Sequence, residues 1–310
     1  MSLAPVVVDV CLLAAAVLAL WVGAERFVAN AARLARRVGV SELVVGLTVV
    51  ALGTSAPEAA VTVDAAVTGR PTLALANVVG SNVFNLGLVL GAVAAFRTVA
   101  GRRSLVRRDG VAVVLATGVL LAAGADGTVG LADGLLLLGG LGLYLVVLLW
   151  SADRTATPTA APGRHRLPSS VWAVLGLALV VGGANLLVSS AADLARLLGA
   201  SEWLVGETVV AVGTSVPELV ASVAAARQGL GDIAAGNLVG SSIFNALGVL
   251  GLAAVLVPLP VGSEASAGLV WLAGLTLLAV ALLATGRRLS RVEGGALVAA
   301  ALGKWVIDLL

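Results

Sequence analysis

Two closely similar stretches decide how this chain folds: GVSELVVGLTVVALGTSAPE at residues 39–58 and GASEWLVGETVVAVGTSVPE at residues 199–218. They agree at fourteen of twenty positions and are separated by 160 residues. Downstream of them, GSNVFN at 80–85 and GSSIFN at 240–245 keep the same separation. Because whole blocks of sequence recur at one offset, the chain is predicted to consist of two homologous halves.

The segment between the halves has the composition of a linker. It reads SADRTATPTAAPGRHRLP at residues 151–168, and its Pro, Thr and charged residues interrupt the apolar sequence on both sides. We therefore predict a first repeat at 1–150, a cytoplasmic linker at 151–168 and a second repeat at 169–310.

The composition is that of an integral membrane protein. Of 310 residues, 60% are hydrophobic and only 12% are charged, with a mean hydropathy of +1.09, whereas soluble domains are about a quarter charged. A helix that crosses a hydrocarbon core of ~30 Å needs about 20 apolar residues. The sequence predicts an all-α fold with ten such helices, near 3–26, 38–66, 71–97, 109–125, 131–150, 169–192, 200–226, 231–257, 266–286 and 292–310.

The number of helices in each half determines how the halves are oriented. Five is odd, so the second half must enter the membrane from the opposite side, and the two halves form an inverted repeat. Inverted repeats with interrupted helices at matching positions are typical of secondary transporters, whose binding site lies near the bilayer midplane. A pore-forming channel is less favoured, because channels generally gain their symmetry from identical subunits.

The positive charges predict the orientation in the membrane. Of nineteen Lys and Arg, fifteen fall in the loops after helices 1, 3, 5, 7 and 9, and Arg26 lies at the same end of helix 1. Only Arg70, Arg196 and Lys304 remain for the other side. The positive-inside rule then places both termini outside the cytoplasm, in a multi-pass protein of the cell membrane.

Several kinds of partner are not expected. The net charge of +2 is explained by this loop asymmetry, so no nucleic-acid partner is predicted. The single cysteine, Cys11, and the single histidine, His165, exclude a disulfide framework and any thiolate or imidazole metal cluster.

The GTSAPE and GTSVPE motifs place a helix breaker and a carboxylate inside apolar helices. Pro57 has no N–H, so the carbonyl of Gly53 loses its helical partner, and Pro217 has the same effect in the second motif. In lipid, such carbonyls are tolerated only where protein covers them or where they line a polar cavity. Glu58 and Glu218 cost roughly 2.5–3.5 kcal/mol each on insertion scales, which makes a functional role the default interpretation.

Further oxygen donors surround each carboxylate in the predicted helices. Helical spacing puts a Thr and a Ser of the motif on the same face as its Glu, and the next helix adds an Asn–Ser–Asn stripe four residues apart. Hydroxyl, amide, carbonyl and carboxylate oxygens suit hard cations such as Ca²⁺ and suit transition metals poorly. The residues are Thr54, Ser55, Asn77, Ser81 and Asn85 in the first half, and Thr214, Ser215, Asn237, Ser241 and Asn245 in the second.

With these motif pairs, each present twice, in order and at constant spacing, the chain resembles the cation/calcium antiporter superfamily, in particular its short prokaryotic Na⁺/Ca²⁺ exchangers. The resemblance implies that Ca²⁺ and Na⁺ are transported substrates, that the protein is not an enzyme, and that it needs no cofactor and no obligatory protein partner. It also implies that helices 1 and 6 slide against the other eight. By motif position it assigns Ca²⁺ to Glu58, Glu218, Thr54 and Thr214, and Na⁺ to Ser55, Ser215, Ser81, Ser241, Asn85, Asn245 and the backbone oxygens of Ala51 and Ala211.

The chain departs from the family pattern at two positions. Asn245 stands where K⁺-dependent relatives have an Asp, which argues against a K⁺ requirement. Glu207 stands where the first repeat has Leu47, about three helical turns before Glu218. This carboxylate can line an access path or simply be solvated at the membrane interface, and the sequence favours neither.

Three functions fit this pattern. The first is electrogenic exchange of more than two Na⁺ for each Ca²⁺ by alternating access; the second is H⁺/Ca²⁺ exchange; the third is a cation channel or a membrane sensor. The neutral hydroxyl and amide ligands favour Na⁺ over H⁺, because protons need no coordination shell.

Overall fold

The computed structural model describes residues 3–38, 40–151, 168–197 and 202–309, and these are mostly helical. Most of the predicted linker, residues 152–167, lies outside the described residues. The helices are α1 (Leu3–Val38), α2 (Glu42–Thr54), α3 (Ala56–Val67), α4 (Pro71–Phe96), α5 (Leu105–Asp126), α6 (Leu131–Trp150), α7 (Ser169–Leu197), α8 (202–214), α9 (Val216–Arg227), α10 (Gly231–Leu256), α11 (Ser263–Ala284) and α12 (Arg291–Leu309). The short strands are β1 (Val99–Ala100), β2 (Thr128–Val129), β3 (Leu259–Pro260) and β4 (Arg288–Leu289).

Several of these helices are long and apolar enough to cross a membrane. Within the described residues they are α4, α5, α6, α10 and the segment Ser263–Arg287. The pair α2 and α3 is bent by 45° at its break and makes a sixth if the two helices are counted as one span. The chain is therefore a multi-pass membrane protein, while the full count of ten spans and their inversion stay predictions.

The elements recur at the offset of 160 residues seen in the sequence. The break after α2, at Ser55, has its counterpart at Ser215 after α8, and the strands repeat in the same way. Val99 pairs with Leu289 in one two-stranded ribbon, and Val129 pairs with Leu259 in the other. Each contact thus has a mirror contact with the roles of the halves exchanged, which is the signature of a two-fold relation.

Helices α4 and α10 lie at the centre of the molecule. In each, 83% of the most apolar window is buried inside the protein, compared with 22% for α6. Polar side chains on α4 and α10 are therefore shielded from lipid. Both helices contain a widened π-helical turn, at Phe84–Val89 and Phe244–Val249, and such turns are frequent at functional sites.

Helix α1 is longer than predicted from hydropathy, which placed its end near residue 26. It continues to Val38 because the charged segment is amphipathic, with Phe27, Val28 and Ala31 buried on one face. Helices α5 and α7 likewise extend beyond their predicted limits, beginning at Leu105 and ending at Leu197. Hydropathy marks where a helix meets lipid, not where its hydrogen bonding stops.

Helices α1 and α7 cross in backbone contact. A Cβ added to Gly23 would lie 2.7 Å from the carbonyl oxygen of Gly176, and one added to Gly176 would lie 2.6 Å from the amide nitrogen of Phe27. Small residues at such crossings let membrane helices approach closely.

Several arginine-bearing segments meet at one end of the molecule. Arg97 donates to the carbonyl of Ala226 at 3.3 Å, and Arg102 pairs with Asp232. Strand β1, which lies between these two arginines in the chain, pairs with β4. The ribbon of β2 and β3 lies at the opposite ends of α5 and α10. The loops after predicted helices 3, 7 and 9, which the sequence places on one side, are thus also grouped in space.

Candidate cation-binding site

The two broken helices place their carboxylates at corresponding positions. Ser55 ends the first segment with an N–H donated to the carbonyl of Ala51 at 2.9 Å, and Pro57 begins the next without an N–H to donate. Glu58 and Glu218 then lie in the first turns of α3 and α9, where unpaired N–H groups favour a negative charge. Both side chains are fully buried.

Hydroxyl groups cross between the halves to reach these carboxylates. Ser215 donates to Oε1 of Glu58 at 2.9 Å, and Ser55 donates to Oε1 of Glu218 at 2.7 Å. Ser241 adds a bond to the same oxygen of Glu218 at 3.2 Å. The carboxylates also lie close enough to interact with each other. Ser55 therefore bonds to the glutamate of the other motif, a partner that helical spacing within one motif does not indicate.

A second reciprocal pair of bonds joins the motif threonines to the asparagine stripes. Thr54 donates to Oδ1 of Asn237 at 3.1 Å, and Thr214 donates to Oδ1 of Asn77 at 3.2 Å. All four side chains are buried. The structure therefore brings the two glutamates and the Thr, Ser and Asn residues bonded across the halves into one polar centre. Three predicted ligands are buried but make no side-chain hydrogen bond within the described residues: Ser81, Asn85 and Asn245.

Two further residues complete this centre and were missed by the sequence analysis. Asn77 donates to Thr62 at 2.9 Å, and Asn237 donates to Ser222 at 3.0 Å. Both acceptors are fully buried and separated by 160 residues. Their signal was present in the sequence, since each lies four residues after a motif glutamate and therefore on the same helix face.

Five side-chain oxygens of the predicted site residues have no hydrogen-bond partner within the described part of the chain. They are Oε2 of Glu58, Oε2 of Glu218, Oγ of Ser81 and the amide oxygens of Asn85 and Asn245. All belong to fully buried side chains, and each buried unpaired polar group costs free energy. The amide nitrogens of Asn85 and Asn245 are unpaired as well, but oxygens, and carboxylate oxygens above all, are the ligands that hard cations prefer, so the five oxygens fit such a cation.

The predicted backbone ligands lie beside these side chains. The carbonyl of Ala51 accepts from the hydroxyl of Ser241 at 3.5 Å as well as from the amide of Ser55. The carbonyl of Ala211 accepts from the amide of Ser215 at 3.1 Å. Both alanines are fully buried. Their role as cation ligands stays a prediction.

Glu207 differs from both alternatives that the sequence left open. Its side chain is fully buried, so a solvated carboxylate at the interface is wrong. Its oxygens accept from Trp203 at 2.6 Å and lie 3.0 and 3.2 Å from Nζ of Lys304, so they are engaged rather than free to line a path. Lys304, which the charge count assigned to the outer side, is itself buried within α12. Pairing with Glu207 accounts for its burial.

Comparison with known proteins gives a consistent assignment. The sequence profile of the family described as "Sodium/calcium exchanger protein" matches residues 8–150 and 169–303. The protein named "Putative antiporter CaxA" from Alkalimonas amylolytica is 38% identical, with 96% of this chain and 97% of the relative covered. "Sodium/calcium exchanger MaX1" from Methanosarcina acetivorans is 32% identical, with 77% of this chain and 80% of the relative covered.

A solved structure agrees with these sequences. The sodium-calcium exchanger NCX_Mj, soaked with Na⁺ and Sr²⁺, superposes with a TM-score of 0.82 at 30% identity, covering 96% of this chain and 97% of that chain. The fold, the repeated motifs and the profile thus lead to one conclusion: the chain belongs to the sodium/calcium exchanger family of membrane antiporters.

Proposed function

We propose that the protein exchanges Na⁺ for Ca²⁺ across the cell membrane through the polar centre between its two halves. The observation that carries this proposal is the set of five buried oxygens without hydrogen-bond partners within the described residues, two of which belong to the carboxylates of Glu58 and Glu218. Named relatives and the NCX_Mj structures, which were soaked with Na⁺, Ca²⁺ or Sr²⁺, support the choice of ions.

The charges of the site indicate which residues bind Ca²⁺ and which bind Na⁺. A Ca²⁺ ion is neutralised by both carboxylates, so Glu58 and Glu218 are its ligands together with the motif threonines, Thr54 and Thr214. Neutral oxygens can hold monovalent cations beyond the number of carboxylates, so the Na⁺ sites use the hydroxyl, amide and carbonyl groups around them. These are Ser55, Ser215, Ser81, Ser241, Asn85, Asn245 and the backbone oxygens of Ala51 and Ala211.

Charge also provides the coupling between the ions. Two ionised carboxylates in a low-dielectric centre repel each other, so the empty site is costly to enclose. Either one Ca²⁺ or several Na⁺ ions relieve this repulsion, and the protein changes sides only when it is loaded. In this proposal ten spans form two inverted repeats, and α1 and α7 slide against the rest at their crossing near Gly23 and Gly176.

Exchange of more than two Na⁺ for each Ca²⁺ moves net charge. We expect ⁴⁵Ca²⁺ uptake into proteoliposomes to require internal Na⁺ and to respond to a K⁺/valinomycin potential. An inside-positive voltage should accelerate uptake, because it drives Na⁺ out while Ca²⁺ enters. Uptake that ignores Na⁺, follows a pH gradient and is indifferent to voltage would replace this proposal with H⁺/Ca²⁺ exchange. Uptake that needs no counter-ion at all would favour a channel.

The proposed orientation places segments 98–108 and 151–168 in the cytoplasm and both termini outside it, following the positive-inside rule. Ser104 and Ser151 are exposed and suit labelling. In a Cys11→Ala background, Ser104→Cys and Ser151→Cys should resist an impermeant thiol reagent added to intact cells and react after permeabilisation. Ready labelling of both from outside would reverse the orientation.

A further inference from the structure

A buried cluster of charges links α8 to α12 outside the proposed cation site. Nζ of Lys304 lies 3.0 Å from Oε1 and 3.2 Å from Oε2 of Glu207, and it also contacts Asp308 on its own helix. The indole of Trp203 donates to Glu207 at 2.6 Å. Glu207 and Lys304 are almost fully buried. Buried charges in a membrane protein are costly to place, so this pair calls for a functional explanation.

The fold itself does not require the cluster. At the 160-residue offset the first half has Leu47 in place of Glu207, Tyr144 in place of Lys304 and Leu148 in place of Asp308. These three first-half residues are buried and uncharged, and the hydroxyl of Tyr144 donates to Asp109 at 3.1 Å. The second half therefore carries the ion pair as a specific addition.

The backbone of Glu207 contacts α4 next to a predicted ligand of the site. A Cβ added to Gly80 of α4 would lie only 2.2 Å from the carbonyl oxygen of Glu207. The next residue on α4 is Ser81, and Asn77 on the same helix accepts the hydrogen bond of Thr214 from α8. The contact between Glu207 and Gly80 therefore determines the relative positions of the polar residues that α8 and α4 contribute to the site.

The two sides of the site differ where this contact occurs. Ser241, opposite Leu47, donates to Glu218 at 3.2 Å and reaches the carbonyl of Ala51 at 3.5 Å. Its counterpart Ser81, beside the Glu207 contact, has no partner for its hydroxyl within the described residues. The asymmetry of the hydrogen bonds thus coincides with the asymmetry of the sequence.

We infer that Glu207 and Lys304 are positioning residues. Their ion pair holds α8 to α12, and α12 packs on α4 where Gly91 faces the carbonyl of Gly294, so the pair fixes α8 against α4 and thereby sets the cation affinity on the Ser81 side of the site. The inference rests on the proposed exchange function. Neither residue contacts a transported ion. The pair acts through the backbone of α8, in the way that packing of Leu47 on Gly240 acts in the other half.

The test measures the concentrations of external Ca²⁺ and of internal Na⁺ that give half-maximal ⁴⁵Ca²⁺ uptake into proteoliposomes. For Glu207→Gln and Lys304→Met we expect half-saturating concentrations about fivefold higher, the equivalent of one net hydrogen bond, with the maximal rate per folded protein within about twofold of wild type. The matched control is Asp109→Asn, since Asp109 is an equally buried carboxylate bonded to Tyr144 and Arg108 in the first half. It should leave both half-saturating concentrations unchanged.

Replacing all three cluster residues by their first-half counterparts distinguishes an effect of helix position from an effect of charge. Glu207→Leu with Lys304→Tyr and Asp308→Leu supplies neutral packing, and we expect it to restore half-saturation to near the wild-type value. Unchanged half-saturation in folded Glu207→Gln and Lys304→Met overturns the inference. A triple variant as weak as the single ones also overturns it, because charge rather than position would then act on the site. Failure of the wild type to respond to Na⁺ would reject Na⁺ coupling, while the Ca²⁺ measurement would still decide this inference.

Discussion

Glu58→Gln and Glu218→Gln are each expected to abolish Ca²⁺ uptake, down to the level of protein-free liposomes. Each substitution leaves one carboxylate to compensate a divalent ion, so the loaded site carries a net positive charge in a region of low dielectric constant. Each amide also places an N–H₂ group where an oxygen ligand is required. Flux in proteoliposomes reconstituted at equal protein density measures the effect.

The fold of these variants should survive. Removing one of two repelling carboxylates relieves electrostatic strain, so the melting temperature in detergent should not fall. Asp64→Asn is the matched control: Asp64 is exposed and pairs with Arg70 at 3.4 Å, outside the polar centre, and its flux should stay near that of wild type. Near-normal flux in either glutamate variant would remove the basis of the site assignment.

Gly80→Ala is expected to have the second largest effect. The new Cβ would meet the carbonyl oxygen of Glu207 at 2.2 Å, whereas C···O contacts prefer about 3.3 Å, so α8 and α4 must separate by about 1 Å. Oxygen ligands to Ca²⁺ lie at 2.3–2.6 Å, and a misplacement of this size is expected to lower exchange at least about tenfold.

Gly118→Ala provides the control for this substitution. Gly118 lies within α5, and a Cβ there would meet no atom within 4 Å. Alanine in a helix interior is favoured over glycine by roughly 0.5–1 kcal/mol, so this variant should be as stable as wild type or slightly more stable, with unchanged flux. Equal flux in Gly80→Ala and Gly118→Ala would show that the α8 and α4 contact does not control the site.

The sequence predicted the membrane class, the repeat and the polar residues because these depend on composition and on one long offset. Helical spacing also predicted that Thr54 and Glu58 lie on one face; in the structure Thr54 bonds to Asn237, and the carboxylate of Glu58 accepts from Ser215. It could not predict that Ser55 bonds to Glu218, since spacing along a helix describes neighbours on that helix only. The break between α2 and α3, which sends this hydroxyl across to the other half, is a property of the folded backbone.

The partnership of Glu207 with Lys304 was also beyond the sequence. The two residues are 97 positions apart, and the first half offers no pair to suggest it, because Leu47 and Tyr144 stand at the matching positions. A charge within an apolar helix indicates that a partner is required, but only the three-dimensional packing of α8 on α12 identifies which residue it is.

The crossed bonds between serines and glutamates have a consequence for the origin of the chain. Ser55 donates a hydrogen bond to Glu218, and Ser215 donates one to Glu58, so neither half contains a complete set of contacts. A protein made from the unduplicated gene would have completed them only as a homodimer, with the ion on its symmetry axis. In a homodimer every substitution occurs twice. In a single polypeptide the two positions of each pair can differ, as Leu47 and Glu207 do here.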